Sequence, residues 1–203
     1  MEESVVYTIG YTTFPLKEFV EQLKRARITC LIDVRSLPKS SFFSDFNAEM
    51  LEPVLKEEGI LYRNYAEEFG ARQPDKSFYS GGYLDFEKFS NSEQFLRGKK
   101  RIANGIKNGQ RLCLMCAEKD PFDCHRCILV SRRLRDDGYN ILHIIGKDEC
   151  ISQEEIDERL LNFYFPNRGQ LSIFSNENMS EEEFLNEAYR RRNAEIGYKI
   201  EGK

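Results

Sequence analysis

The chain has 203 residues, 32% of them charged and 40% hydrophobic, with six cysteines, two histidines and no tryptophan. That length suits one well-buried α/β domain with an appendage and is short for two ordinary domains; the composition is that of a soluble globular protein. A net charge of -4 and a pI near 5.5 exclude a generally basic nucleic-acid coat while leaving room for a local basic groove. No apolar run approaches the roughly 20 residues of a membrane-spanning helix, and the opening Met1-Glu2-Glu3-Ser4 lacks the basic start and apolar centre of a signal peptide. A cytoplasmic protein without membrane partners is therefore expected, and its cysteines read as thiols or ligands rather than a disulfide framework.

In chain order, Val5 to Ile9 is the first strand, ending in the small and hydroxyl-bearing Gly10-Tyr11-Thr12-Thr13. Pro15 opens a helix with Leu16, Phe19, Val20 and Leu23 at core spacing. Ile28 to Val34 is the second strand, and Asp33, Arg35 and Pro38 mark its emergence at the carboxyl edge, where ligands gather in open parallel sheets. Asn47 is placed to cap a helix through Glu58, with Met50, Val54 and Leu55 inward and Gly59 as the stop. Ile60 to Tyr65 is a short strand. Residues 66–82 show no periodicity, and a loop that long in a compact domain is functional or mobile. A helix from Ser92 to Lys107 carries Phe95, Ile102 and Ile106.

The densest stretch runs from Arg111 to Arg126 and, with Cys127, holds four of the six cysteines and one of the two histidines. Leu112 to Cys116 reads as a buried strand, Pro121 as part of a tight loop, and Asp123 as the cap of a helix with Ile128, Leu129 and Leu134. Free backbone N–H groups at such a helix start favour an anion, and Lys119 and Arg126 add donors, so this is the expected wall of an anion-binding site. Tyr139 to Ile145 supplies another strand, with His143 inside it as a satisfied sheet histidine, and Glu154 to Phe165 an amphipathic helix. Alternating strands and helices predict a three-layer α/β/α sandwich with a mainly parallel, Rossmann-like sheet over residues 1–165. Residues 166–203 form a C-terminal helical tail: a polar linker, then a helix capped by Ser180 with Phe184, Leu185, Ala188 and Tyr189 as a narrow stripe.

Leu114-Met115-Cys116-Ala117-Glu118-Lys119-Asp120-Pro121 followed by Cys124-His125-Arg126 resembles the signature of the domain of unknown function 488 family. Two further blocks agree in the same order: Thr8-Ile9-Gly10-Tyr11, where the family usually ends in histidine, and Leu31-Ile32-Asp33-Val34-Arg35-Ser36-Leu37-Pro38. The resemblance covers about residues 4–165 and implies the α/β fold but little chemistry. It also implies a role for Gly70-Ala71-Arg72, since a Gly-x-Arg element is usual there.

Four constellations carry possible chemistry. Cys113, Cys116, Cys124 and Cys127 make two C-x-x-C pairs that zinc would accept, alone or with His125; zinc is not the favoured reading, because Cys113 lies inside an apolar strand. Cys116 at a strand end and Cys124 at a helix start, beside Lys119, His125 and Arg126, suit a cysteine-dependent sulfur-transfer or redox enzyme. Leu31-Ile32-Asp33-Val34-Arg35 before a cysteine loop is similar to the rhodanese pattern, but Cys116 and Arg126 are ten positions apart, too far for that anion ring. Asp33, Glu118 and Asp120 near Arg35, Arg126 and His125 are suited to acid/base work on a phosphate or sugar. Finally, Gln170-Leu171-Ser172-Ile173-Phe174 is similar to the pentapeptide that binds the bacterial DNA sliding clamp, with Leu171, Ile173 and Phe174 as apolar anchors and Gln170 at the edge.

The leading expectation is a pocket built from Gly10, Tyr11, Thr12, Asp33, Arg35, Arg72, Glu118, Lys119 and Cys124 to Arg126 that takes a nucleotide or nucleic-acid phosphate. Arg35 and Arg126 would hold phosphate, Glu118 or Asp33 would act as general base, and Cys116, Cys124 and His125 would shape or activate the site. Such a protein would be a hydrolase or lyase in DNA repair, brought to DNA by its tail; a non-catalytic DNA-associated binding module is the remaining alternative.

Overall fold

Strand and helix alternate in the computed structural model, which describes residues 5–168 and 179–200. The order is β1 (Val5–Gly10), α1 (Leu16–Arg25), β2 (Cys30–Asp33), α2 (Ala48–Glu57), β3 (Leu61–Asn64), α3 (Ala66–Phe69), β4 (Tyr79–Ser80), β5 (Tyr83–Leu84), α4 (Phe86–Ser90), α5 (Glu93–Lys107) and β6 (Leu112–Cys116). After β6 come a π-wound turn (Arg126–Ser131) running into α6 (Arg132–Asp136), then β7 (Asn140–Gly146), β8 (Glu149–Ser152), α7 (Gln153–Tyr164) and a C-terminal helix (Glu181–Ile196). Six strands form one sheet in the order β3-β2-β6-β1-β7-β8, parallel except for the antiparallel edge pair β7/β8.

The two-residue pleat sorts the core into two layers. Cys30 and Ile32 of β2 and Leu112, Leu114 and Cys116 of β6 face α5, α6, α7 and the C-terminal helix, meeting Phe95, Ile102, Leu134, Ile156, Leu160 and Tyr189. Leu31, Cys113 and Met115 face the other way, onto Phe19, Leu23, Leu51 and Leu55 of α1 and α2. The fold is thus the three-layer α/β/α sandwich expected. Neighbouring β1 and β6 send their connections to opposite layers, so a crevice opens beyond their carboxyl ends, the usual ligand position in open α/β sheets.

Several local expectations change. In α2 the inward residues are Leu51 and Leu55, while Met50 is 55% exposed. Asn47 stands at the N-cap position, but its side chain does not cap: Oδ1 accepts from the Ser40 amide at 2.6 Å and so ties down the loop after β2. Residues 66–82 are not featureless; α3 and the β4/β5 hairpin are too short to show a period, and Gly81 and Gly82, at φ 59° and 84°, supply the left-handed pair of a tight hairpin turn. The helix cap after β6 is Cys124 rather than Asp123, with the amides of Cys127 and Ile128 donating to its carbonyl at 3.0 Å each.

The C-terminal helix starts with a Ser180/Glu183 capping box and packs on the sheet layer through Phe184, Ala188 and Tyr189. Beyond it the chain runs beside the hairpin, where Leu84 N–H donates to the Tyr198 carbonyl at 2.9 Å and Ile200 N–H to the Gly82 carbonyl at 3.0 Å. Gln170 to Phe174 lie outside the described residues. Among the described residues, no helix is long and apolar enough to cross a membrane.

Candidate functional site

At the carboxyl edge, Gly10 and Cys116 end their strands side by side. The chain after Cys116 folds back over β1: a Cβ on Gly10 would lie 2.0 Å from the Glu118 carbonyl oxygen, so only glycine lets the two backbones approach this closely. Thr12 fastens the same loop, its amide and hydroxyl both donating to the Ala117 carbonyl at 3.2 and 2.7 Å. Asp120 caps the short turn Pro121–Asp123 through the Phe122 amide and takes a forked ion pair from Arg159 at 2.9 and 2.7 Å.

Arg126 supports the loop from below. Its side chain is 0% exposed, and it donates to the Glu118 carbonyl at 2.6 Å, the Lys119 carbonyl at 3.3 Å and Thr8 Oγ1 at 3.3 Å. This overturns its expected role as a phosphate ligand: the helix that carries it aims it into the protein, where it satisfies backbone carbonyls. Asp33 is likewise occupied. It is 0% exposed, receives Arg35 Nε and Nη2 in a fork at 2.9 and 2.6 Å, and accepts from the Tyr62 hydroxyl at 2.6 Å, so it is not placed as a general base.

Four further groups converge above β6. Cys116 Sγ faces His125 Nδ1 at 3.7 Å, and the Cys124 thiol donates to Glu118 Oε2 at 2.9 Å. His125 Nε2 donates to the Val34 carbonyl at 3.0 Å, which leaves Nδ1 as the lone-pair nitrogen toward the sulfurs. The Arg126 amide donates to Cys124 Sγ at 3.4 Å. Potential metal-donor atoms of Cys116, Glu118, Cys124 and His125 all lie within 4.8 Å of one another.

The electrostatics follow from this crowding. Burial and the neighbouring Cys124 push the Cys116 thiol well above the ordinary thiol range. Burial works against the Cys124 thiolate too, but Cys116, Arg126 and His125 outweigh it and hold that thiol well below its usual range. His125 is raised: burial disfavours its charge, and Cys124 and Glu118 more than restore it. Burial, then Cys124, raises Glu118. Cys124 and Cys116 are only 1% and 2% exposed, which restricts the access of a sulfur donor or oxidant to either thiol.

Beside this cluster lies a cleft of about 340 Å³. Tyr11, Arg35, Arg72, Cys116, Glu118 and His125, all site candidates from the sequence, line it. Gly10 and Arg126 instead underlie the loop, Cys124 sits behind Glu118, Thr12 lines a separate depression with Phe42 and Phe43, and Lys119 lines another with Arg159. Sequence reading missed Ser36, Lys39, Ser40 and Tyr198. Ser36 lies inside the Leu31–Pro38 block, and Lys39 and Ser40 directly follow it, so extending that block by two residues would have found them. Tyr198 carries no local signal; only the return of the C-terminal chain along the hairpin brings it here. Arg72 stacks on its ring at 4.8 Å while the Arg72 amide donates to Ser36 Oγ at 2.8 Å.

No curated protein and no solved structure matches the chain. The family described as Domain of unknown function DUF488 matches residues 15–133, more than half of the chain, a span that includes β2, the Arg72 loop and the whole Cys116–Arg126 segment. The chain belongs to this family, the domain of unknown function 488.

Proposed function

We propose that the cleft binds the phosphate of a nucleotide or nucleic-acid strand and that the groups of the adjacent cluster act on that ligand. One observation carries this reading. Arg35 is 6% exposed, lines the cleft and is fixed by Asp33 and the Phe46 carbonyl, yet its Nη1 has no hydrogen-bond partner. A buried guanidinium N–H without an acceptor is costly, and a phosphate oxygen would supply one with charge. Arg72 and Lys39, both exposed at the cleft and in no ion pair among the described residues, add positive charge, and Ser36 and Ser40 add hydroxyls. The Tyr198 ring, with Arg72 over it, suits stacking of a base. With Asp33 occupied and Asp123, also at the cleft, paired with Arg192, the carboxylate left to meet the ligand is Glu118.

The test is titration of the wild-type protein and of Arg72→Ala with inorganic phosphate, mononucleotides and short single- and double-stranded DNA. Loss of one charged hydrogen bond costs about 1.5–3 kcal/mol, so Arg72→Ala should weaken binding by about 10- to 100-fold. Wild-type binding that Arg72→Ala leaves undiminished, or no binding of any of these ligands, refutes the proposal. The same reading keeps Gln170, Leu171, Ile173 and Phe174 as a docking peptide for the DNA sliding clamp, consistent with a DNA-repair role. Clamp binding unaffected by joint replacement of Leu171 and Phe174 with alanine would remove that part.

A further inference from the structure

We infer that Cys116, Cys124, His125 and Glu118, brought together where β6 and the following helix meet, form a site for one divalent transition-metal ion of the zinc class. The inference does not depend on the cleft's ligand being a phosphate. Zinc bonds of about 2.0–2.3 Å place tetrahedral donors roughly 3.3–3.8 Å apart. Cys116 Sγ and His125 Nδ1 already stand at 3.7 Å; Cys124 Sγ and Glu118 Oε2, at 2.9 Å, need to part by about half an ångström when the thiol proton between them gives way to a metal. All four donors meet within 4.8 Å.

Three observations beyond proximity point to a metal. First, His125 is oriented as metal-bound histidines are: its remote nitrogen donates to a backbone carbonyl, at 3.0 Å to Val34, which turns the Nδ1 lone pair toward both sulfurs. Second, Cys124 caps the helix with its sulfur as the acceptor of the Arg126 amide at 3.4 Å, an outer hydrogen bond of the kind that supports a ligating thiolate. Third, Arg126 is a fully buried cation with no carboxylate partner among the described residues; its donors meet only carbonyls and a hydroxyl. Two thiolates, one carboxylate and a divalent ion sum to one negative charge, and the guanidinium beside Cys124 balances it.

Two thiolates with an imidazole select a zinc-like or ferrous ion over magnesium or calcium. The C-x-x-C arithmetic of the sequence paired the wrong cysteines. Cys113 faces the opposite layer, and Cys127 lies against His143 and Gln153, 3.7 and 3.5 Å from their nearest polar atoms. Cys116, Cys124 and His125 are buried, whereas Glu118 is exposed at the cleft, so the carboxylate is the ligand that a water or cleft-bound molecule can displace. A site with three fixed protein ligands and one exchangeable position is the pattern of reactive rather than structural zinc.

The experiment uses the full chain without a metal-binding tag, reduced and stripped of metal, then titrated with Zn²⁺ and with Co²⁺ as an optical probe. One equivalent should bind, with the intense visible bands of tetrahedral cobalt and a thiolate-to-cobalt charge-transfer band. Cys124→Ser and His125→Ala should each weaken binding at least tenfold. Glu118→Gln should weaken it less and keep the charge-transfer band, and Cys113→Ser and Cys127→Ser should bind as wild type. Absence of stoichiometric binding, absence of the charge-transfer band in the wild-type chain, or affinity indifferent to Cys124→Ser and His125→Ala overturns the inference. The wild-type spectrum decides even if a cysteine variant fails to fold. Arg72→Ala should bind metal normally, so failure of the phosphate reading and failure of the metal site are separable.

Discussion

Acidification from pH 6.5 to 5.0 should cost the protein about 2 kcal/mol of stability through His143 alone. This histidine is 0% exposed and sits in a hydrogen-bond chain with a single direction. Arg126 Nε donates to Thr8 Oγ1 at 3.3 Å, Thr8 donates to His143 Nδ1 at 2.7 Å, and Nε2 donates to Gln153 Oε1 at 3.0 Å. Gln153 Nε2 then donates to the Tyr189 hydroxyl at 2.8 Å, which donates to Asp157. A proton on Nδ1 would oppose the Thr8 hydroxyl and break that direction. Burial, followed by the charge of Arg126, pushes His143 down to about 3 from 6.5, with Gln153, Cys124 and Asp120 opposing more weakly. In the unfolded chain the imidazole takes a proton below about pH 6.5, whereas in the folded one it stays neutral until about pH 3. Its contribution is therefore complete above pH 6.5 and is lost as pH falls toward 3, at about 1.36 kcal/mol per unit, or about 2 kcal/mol over 1.5 units. The assay is urea unfolding of wild type and His143→Gln at several pH values in this window, because the difference between them cancels the carboxylates common to both. The variant should start less stable and lose about 2 kcal/mol less on acidification. Parallel pH curves would refute the buried neutral histidine.

Three further substitutions, with Arg72→Ala as a surface control, probe the site's framework. Gly10→Ala drives a methyl against the Glu118 carbonyl and should cost at least about 2 kcal/mol, read as a fall in Tm; an unchanged Tm would mean that the loop does not lie on β1. Arg126→Met leaves the Glu118 and Lys119 carbonyls without their donor and should destabilise by about 3–5 kcal/mol in urea, whereas Arg72→Ala should stay within about 0.5 kcal/mol of wild type; equal effects would contradict their opposite burial. Asp33→Asn breaks a buried fork and weakens the acceptor of Tyr62, so chemical denaturation should show a loss of about 3–5 kcal/mol, and a loss under 1 kcal/mol would show that Arg35 is held by other means.

The layered fold was readable because its signals are periodic and local: the apolar runs of β1, β2 and β6, and helices such as α5 with Ser92 at its cap. Half of the site was readable for a different reason, since Cys116, Glu118 and His125 sit at the end of one strand and the start of one helix, and the fold's topology delivers both to one edge. What spacing could not show is where a side chain finds its partners. Arg126 and Asp33 carry the residue types of an active site but satisfy carbonyls and a guanidinium instead. The helix cap shows the same limit: Asp123 has the better capping side chain, yet it forms an ion pair with Arg192 while the cysteine caps. Tyr198 was invisible because its place depends on a turn of chain more than a hundred residues from Arg72 in sequence, where no pattern records the meeting.

That distant meeting bears on how the cleft is closed. The sheet and the Cys116 cluster are built from residues before position 165. Ile196 and Tyr198, however, form one wall of the cleft, and the strand-like run from Tyr198 to Ile200 seals against the β4/β5 hairpin. The cleft is therefore walled by two stretches far apart in sequence, and a cut between them would leave the Cys116 cluster in place with one side of the cleft open.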